Sequence, residues 1–464
     1  MTEVADPSTA PAPRTRPARS GPQDLTYRLD ADLVERRAAT EPAWLAAERR
    51  RALAAFEALP TEPNRLYTPY IDLRAAQLAA VVAYEAPAAH VGAPAPGDGI
   101  SALASFDEDS GATFAIAEDA RRAGVTVETL DALVGRDPEA ARRLIADPAA
   151  LPADDRLSQL SLAAWTQGVV VRVPAGAELA DPIVVRWAVG APGRAIHART
   201  IIELGDGAQA TLVEELVPSA GLVSGGQALY TATTEVHLGA NAHLAMASLQ
   251  ELGPDQVVFQ QRRADIGENA DLHWALAQLG GRLVRSRVDN VLAGDRSRVE
   301  QVEIVFGADD QLHDLTSYTR HTGRDTTGQL LSKGVLMDRA RSYLKGLITI
   351  EKSAIGTDSY LGEFGMNLSK SARAVAIPSL EIDQPDCRRA AHASSVGPID
   401  ETQLFYLESR GIPPDEARKF IVLGFLEPVV ARVPLEDARE RLREALEAKW
   451  AAGLAAGPRS GAAA

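Results

Sequence analysis

The chain has 464 residues, 46% of them hydrophobic and 24% charged, which is enough apolar material for a large core and close to the globular norm. Asp and Glu number 63 against 48 Lys and Arg, a net charge of −15 that repels phosphate backbones and anionic lipid and so argues against nucleic acid or a membrane surface as partner. One cysteine, Cys387, can neither close an internal disulfide nor complete a tetrahedral zinc or iron–sulfur site by itself, and no apolar run reaches the ~18 residues of a membrane helix, so the expected compartment is the cytoplasm.

Residues 1–22 are rich in Pro, Ala and Arg, lack the apolar stretch of a secretory signal, and read as a disordered tail. Asp30 to Pro60 carries Leu33, Leu45, Leu53, Phe56 and Leu59 at helical spacing, and Pro60 ends the pattern. Further helical patches cover Ala117 to Val134 and Asp137 to Ile145, where Asp137 before Pro138 resembles a helix start; Ala86 to Gly99 reads as loop. Residues 23–156 are therefore expected to form a mainly helical N-terminal domain.

The texture changes near Leu160. Val169 to Val173, Ile183 to Trp187 and Ala198 to Leu204 are short β-branched runs parted by Gly, Pro and Asp, and such runs continue to about Ile355. A motif recurs inside them: Leu204-Gly205-Asp206-Gly207-Ala208, Leu238-Gly239-Ala240-Asn241-Ala242, Ile266-Gly267-Glu268-Asn269-Ala270, and a weaker copy from Gly294. A repeat of about 30 residues signals units that bury their apolar faces only by stacking on one another. Small turn residues with Val, Ile and Leu on one face, and few aromatics, fit a right-handed parallel β-helix over residues 157–398 better than a propeller, with an irregular β-sandwich as the alternative. Residues 399–464 return to helix, as Asp400 to Leu407, a second helix entered through Ile412-Pro413-Pro414, and a third from Pro434 to about Ala451. The fold class is thus mainly β, a parallel β-helix core flanked by helical domains.

Familiar catalytic signatures are missing. The sequence contains no phosphate-binding G-x-x-x-x-G-K-[ST], no G-x-G-x-x-G after a strand, no H-E-x-x-H and no G-x-S-x-G. The eight histidines are scattered singly; His237 and His243 flank a repeat turn and are more readily turn residues than a metal pair. A β-helix also invites glycan cleavage, for which Asp309, Asp310 and Asp325 are the grouped acids, but their sequence setting is that of turns.

Two stretches carry a more specific signal. One runs from Asp314-Leu315-Thr316-Ser317-Tyr318 through Gly328, Ser332-Lys333-Gly334 and Asp338 to Gly346-Leu347-Ile348; the other comprises Ala391-His392-Ala393-Ser394-Ser395-Val396-Gly397, Gln403 to Ile412, and Gly424-Phe425. Together they resemble the SufB/SufD family of iron–sulfur cluster assembly proteins, over roughly Leu157 to Val430. Within that family the sequence is more similar to SufD: Ala393 follows His392 where SufB has a glutamate, and Ala372 stands about where SufB carries a cysteine. A SufB-like scaffold that itself holds a nascent cluster is the alternative.

The resemblance implies a subunit without catalysis of its own, joined to SufB through the β-helices and to the ATPase SufC through the C-terminal helices, as one SufB, one SufD and two SufC. A homodimer is implied when SufB is absent. It implies no cofactor on the isolated chain, with iron or a cluster at the SufB interface, where His392 would serve as an imidazole ligand to iron shared with SufB. Tyr406 and Arg410 are the residues expected to meet SufC. Cys387, five residues before His392, would need a bend in the strand to join it and reads as a packed thiol.

Overall fold

The computed structural model describes residues 25–456 apart from 86, 88–95, 147–150, 221–224 and 434; the tail expected over 1–22 and much of the Ala86–Gly99 loop lie outside them. Its centre is a parallel β-solenoid of about eight coils, each coil giving one strand to each of two facing sheets. The first coil holds Gln167–Val173 and Ile183–Val189, the last Arg373–Ile382 and Arg389–Pro398. Along each strand alternate side chains enter the lumen between the sheets. Leu244 and Met246 point inward and lie in register with Leu272 and Trp274 of the next coil, whereas Ala247 and Leu249 face outward beside Ala275 and Ala277.

The repeat motif is the turn joining the two sheets. Its first glycine is needed for closeness: a Cβ on Gly267 would lie 2.6 Å from Leu238 O, and one on Gly294 only 2.1 Å from Glu268 N. Two residues later the backbone is left-handed, with φ +68° at Gly207, +57° at Asn241, +53° at Asn269, +59° at Arg296 and +54° at Asp325. Each of these residues donates its N–H to a carbonyl of the following coil: Gly207 to Ala240 and Asn241 to Glu268 at 2.8 Å, Arg296 to Arg324 at 2.7 Å. Asp325 is thus a turn residue, Asp309 is a second left-handed turn at φ +52°, and Asp310 pairs with Arg282 at 2.8 Å.

At the N-terminal end the solenoid is capped. Ala102–Asp107 adds parallel to Ile183–Val189, and Gly111–Ile116 then runs antiparallel along its far side. Thr126–Thr129 adds antiparallel to Gln167–Val173 in the other sheet. The helix expected from Ala117 to Val134 is therefore broken into Glu118–Arg122, this strand, and Leu130–Arg136. Gly124, at φ +84°, ends the first helix, and Val125 and Val127 gain more by closing the end of the core than by continuing it. The first helical pattern is likewise two helices, Ala31–Ala38 and Ala43–Ala58, while Asp137 caps Pro138–Ile145 by accepting from Ala140 N.

The outer faces of both sheets are covered along most of their length. Leu25, Tyr27, Phe56 and Leu73 pack with the helix Arg156–Ala164 on one sheet, against Leu229, Val257, Phe259 and Leu283. There the Tyr27 hydroxyl meets His197 Nε2 at 2.9 Å. The helices Pro414–Val430 and Glu436–Ala456 fold back over the other sheet, with Val422, Leu426, Leu442 and Trp450 against Ala275, Val302, Ile304 and Phe306.

The stacking column makes a graded prediction for equilibrium urea unfolding. Gly294→Ala should cost about 3 kcal/mol or more because backbone must move, whereas Gly207→Asn, which places the residue found at two other levels of the column, should cost less than about 0.5 kcal/mol.

Candidate functional site

The distinctive surface is the C-terminal end of the solenoid. Arg373–Ile382 pairs only with Arg341–Ile350, and Arg389–Pro398 only with Asp358–Asn367, so both sheets end there on an unpaired strand. The N–H groups of Arg373 and Asp383 bond back to Ala340 O and Ile350 O, and Arg389 N–H to Thr357 O. The backbone groups of the even-numbered residues between them consequently point off the end, although the Ala374 N–H is taken by Asn367 Oδ1 at 3.0 Å. Pro378 falls in that set, where a missing N–H costs the ladder nothing. Ile382 and Val396 leave apolar surface on the same rim.

His392 sits in the middle of the last strand, in register with Leu361, which is fully buried and faces the lumen. Its side chain therefore has lumenal parity, and it is exposed because no further coil covers it. Ser394 occupies the next lumenal position, above Glu363. Cys387 lies in the turn before this strand and packs, half-buried, with Ala390 and Leu380 against Leu330, Ile348 and Leu361. Ala372 is buried among Leu344, Ala340 and Leu336 just before the other terminal strand. Among the described residues, no group of three or more His, Cys, Asp and Glu side chains is placed to hold a metal ion. His237 and His243 stand at the ends of strands in opposite sheets, either side of the Asn241 turn.

Tyr406 and Arg410 lie on and just after the helix Glu401–Ser409, which Asp400 caps by accepting from Thr402 N and Gln403 N. The Arg410 guanidinium is 5.1 Å from the centre of the Tyr406 ring. Phe405, Tyr406 and, on the following helix, Phe420 are respectively 71%, 56% and 57% exposed, an apolar cluster unusual for a free helical surface. The opposite side of that second helix is anchored: Lys333 Nζ donates to Phe425 O at 2.6 Å and lies 4.5 Å from its ring centre.

Beneath the rim the lumen holds charge that the sequence pattern did not disclose. Glu363 is buried beside Gly346, where a Cβ would stand 2.8 Å from Glu363 Oε1, and it accepts from Ile377 N at 2.9 Å. Burial pushes its carboxyl up to about 8, against the lowering pull of that N–H and of Lys345. Glu303, two coils deeper, is pushed up to about 7 by burial, with Arg262 opposing. Deeper still, Arg262 donates to Glu214 at 2.8 Å and to Ser248 at 3.0 Å. These acids alternate with Val, Leu and Ser on strands that read simply as apolar, so only the coil-by-coil register aligns them.

The fold and this rim define a class: a capped parallel β-solenoid whose flanks are covered along most of their length and whose last coil carries a lone exposed histidine on its unpaired edge. Residues 187–425, just over half of the chain, match the family model "SUF system FeS cluster assembly, SufBD core domain". The chain belongs to that family and is SufD-like. It is 30% identical over 297 residues to the iron–sulfur cluster assembly protein SufD of Bacillus subtilis, a match spanning 64% of this chain and 67% of that protein. It is 27% identical over 291 residues to a SufBD family protein of Staphylococcus saprophyticus, spanning 63% of this chain and 62% of the relative, and 26% identical over 322 residues to one of Staphylococcus epidermidis. Among the described residues no helix is long and apolar enough to cross a membrane.

The buried acid below the rim predicts a pH effect of definite sign. A carboxyl raised to about 8 binds its proton more tightly folded than unfolded, so its stabilisation is complete below the unfolded value near 4.5 and is lost as pH climbs to about 8. Glu363→Gln should therefore melt at least about 2 °C above the unsubstituted chain at alkaline pH and within about 1 °C of it near pH 5, read by calorimetry.

Proposed function

We propose that this protein is the SufD-type scaffold subunit of an iron–sulfur cluster assembly complex, with no catalysis of its own. Its free rim joins a SufB β-helix, and its C-terminal helices receive the ATPase SufC. The observation that carries the reading is the pair of parallel strands left unpaired where the last coil ends. Free N–H and C=O groups on a sheet edge are a template for another strand, and here Ile382 and Val396 add apolar area beside them. A partner that also ends in such a rim would satisfy both edges; a second copy of this chain meets that requirement when SufB is absent.

At the joined rim His392 offers a neutral imidazole, a borderline ligand suited to iron, to a cluster that is the complex's cargo rather than a resident group. Ala372 and Ala393 supply neither thiolate nor carboxylate, which favours a contributing role over that of a scaffold holding the cluster alone. Phe405, Tyr406 and Phe420, with Arg410, form the face offered to SufC. The helix carrying Phe420 is fixed to the solenoid through Lys333 and Phe425, so a motion of SufC would be passed into the strands below.

Co-expression of the tagged chain with SufB and SufC of the same organism, followed by sizing, tests the partners. The expected product contains all three proteins; a chain that captures neither removes the reading. Ala376→Pro, which deletes an N–H on the free edge, should lose SufB and keep SufC, and Phe420→Glu or Arg410→Glu should do the reverse. In the assembled complex, His392→Ala should slow cluster delivery to an apo-ferredoxin by about tenfold or more, the effect of removing one metal ligand; an unchanged rate would remove His392 from the chemistry and leave the scaffold role standing.

A further inference from the structure

Four lumenal positions lie directly above one another in the last coils. Glu303 is in register with Ser332, Ser332 with Glu363, and Glu363 with Ser394, so the column climbs from the buried lumen to the exposed rim in steps of about 4.8 Å. Glu303 and Glu363 are each 1% exposed and Ser332 is 7% exposed. Neither acid has an ion-pair partner within contact: Arg262 is committed to Glu214, and Lys345 to Asp314 on the outer side of its sheet at 2.5 Å. A carboxyl kept from water and left unpaired in this way is pushed toward its neutral form, Glu363 up to about 8 and Glu303 up to about 7, so that Glu303 is the readier of the two to ionise at neutral pH.

The walls around the column also carry polar atoms with no protein partner. They include Arg262 Nε and Nη1, and Glu303 Oε1 with the Ser286 Oγ and Gln278 Nε2 that face it, close enough to pull its carboxyl down but short of hydrogen-bond geometry. Buried polar atoms are rarely left unsatisfied, and a cluster of donors and acceptors that do not quite reach one another is the setting that holds internal water. The remaining titratable groups of this part of the lumen, His313 and His321, are kept neutral by burial, down to about 3 and about 4, and His321 is closed off between Thr326 and Ser359 at 2.8 and 3.0 Å.

We propose that Glu303, Ser332 and Glu363 form an internal proton relay that runs along the lumen and opens at Ser394 on the free rim. When Glu303 is ionised, Ser332 Oγ gives it a proton, directly or through one water, as that hydroxyl takes one from Glu363. One O–H bond forms for each that breaks, and the serine is left uncharged. Glu363, left ionised, then regains a proton from water at Ser394. Binding of metal to thiol or imidazole groups releases protons, and a relay ending beside His392 would take them up. That use rests on the assembly reading, whereas the relay itself belongs to the isolated chain.

Infrared spectroscopy of the isolated full-length chain at about pH 6 tests it without any partner, so its failure is distinct from failure of the assembly reading. Two protonated-carboxyl stretching bands are expected, one lost in Glu303→Gln and the other in Glu363→Gln, and both should shift on transfer into D2O. Ser332→Ala should slow the shift of the Glu303 band by about tenfold, the effect of losing one hydrogen-bonded step, and leave the Glu363 band unchanged. Ser332→Thr, which restores the hydroxyl, should return the rate. Absence of both bands, or equal deuteration of Glu303 with and without the Ser332 hydroxyl, would overturn the relay.

Discussion

Everything in this molecule depends on coils stacking in strict register at the spacing of one β-ladder. The constraint is severe at the turns, where two backbones pass so closely that a single carbon on Gly267 or Gly294 would collide with the coil before. It is met by a glycine column for closeness and by a second column, two residues on, whose left-handed backbone turns its N–H toward the next coil. Once the turns are fixed, the strand register follows. With the register fixed, residues 27 to 34 positions apart in sequence become lumenal neighbours.

That dependence explains what the sequence could and could not disclose. The glycine motif and its spacing were readable because the turn demands particular residue types. They point to the parallel β-helix, whereas the helical flanks rest on their own apolar periodicity and the family resemblance on separate motifs, among them those at His392 and Gln403 to Ile412. The copy at Gly323 and Asp325 escaped notice because Asp replaces Asn in the left-handed place and no apolar-glycine pair precedes it. The capping strands 102–107, 111–116 and 126–129 were missed since Ala, Ser and Glu give them weak strand character; burial against the first coil, not propensity, makes them strands. The acids Glu303 and Glu363 stood 60 residues apart with nothing local to join them. His392 was singled out by its motif, but its lumenal parity and its place on the last strand are properties of the ladder as a whole.

The two termini divide the remaining work. The N-terminal segments cover one outer face and the C-terminal helices the other, so the apolar outer rows that a bare solenoid would expose are used internally. The apolar residues left in the open fall largely in two places, the rim with Ile382 and Val396 and the helical cluster with Phe405, Tyr406 and Phe420. The two surfaces lie at the end and on the flank of one continuous ladder.

The cap at the first coil has a consequence for polymerisation. In the language of step growth, a unit with reactive groups at both ends makes chains of unlimited length, and a bare β-solenoid is such a unit, able to stack head to tail into fibres. Here the antiparallel strands Gly111–Ile116 and Thr126–Thr129 reverse the strand direction at one end of both sheets. The two ends are therefore unlike: a coil added head to tail would find, at the first coil, strands running against the direction of the solenoid, and the parallel ladder could not continue across the joint.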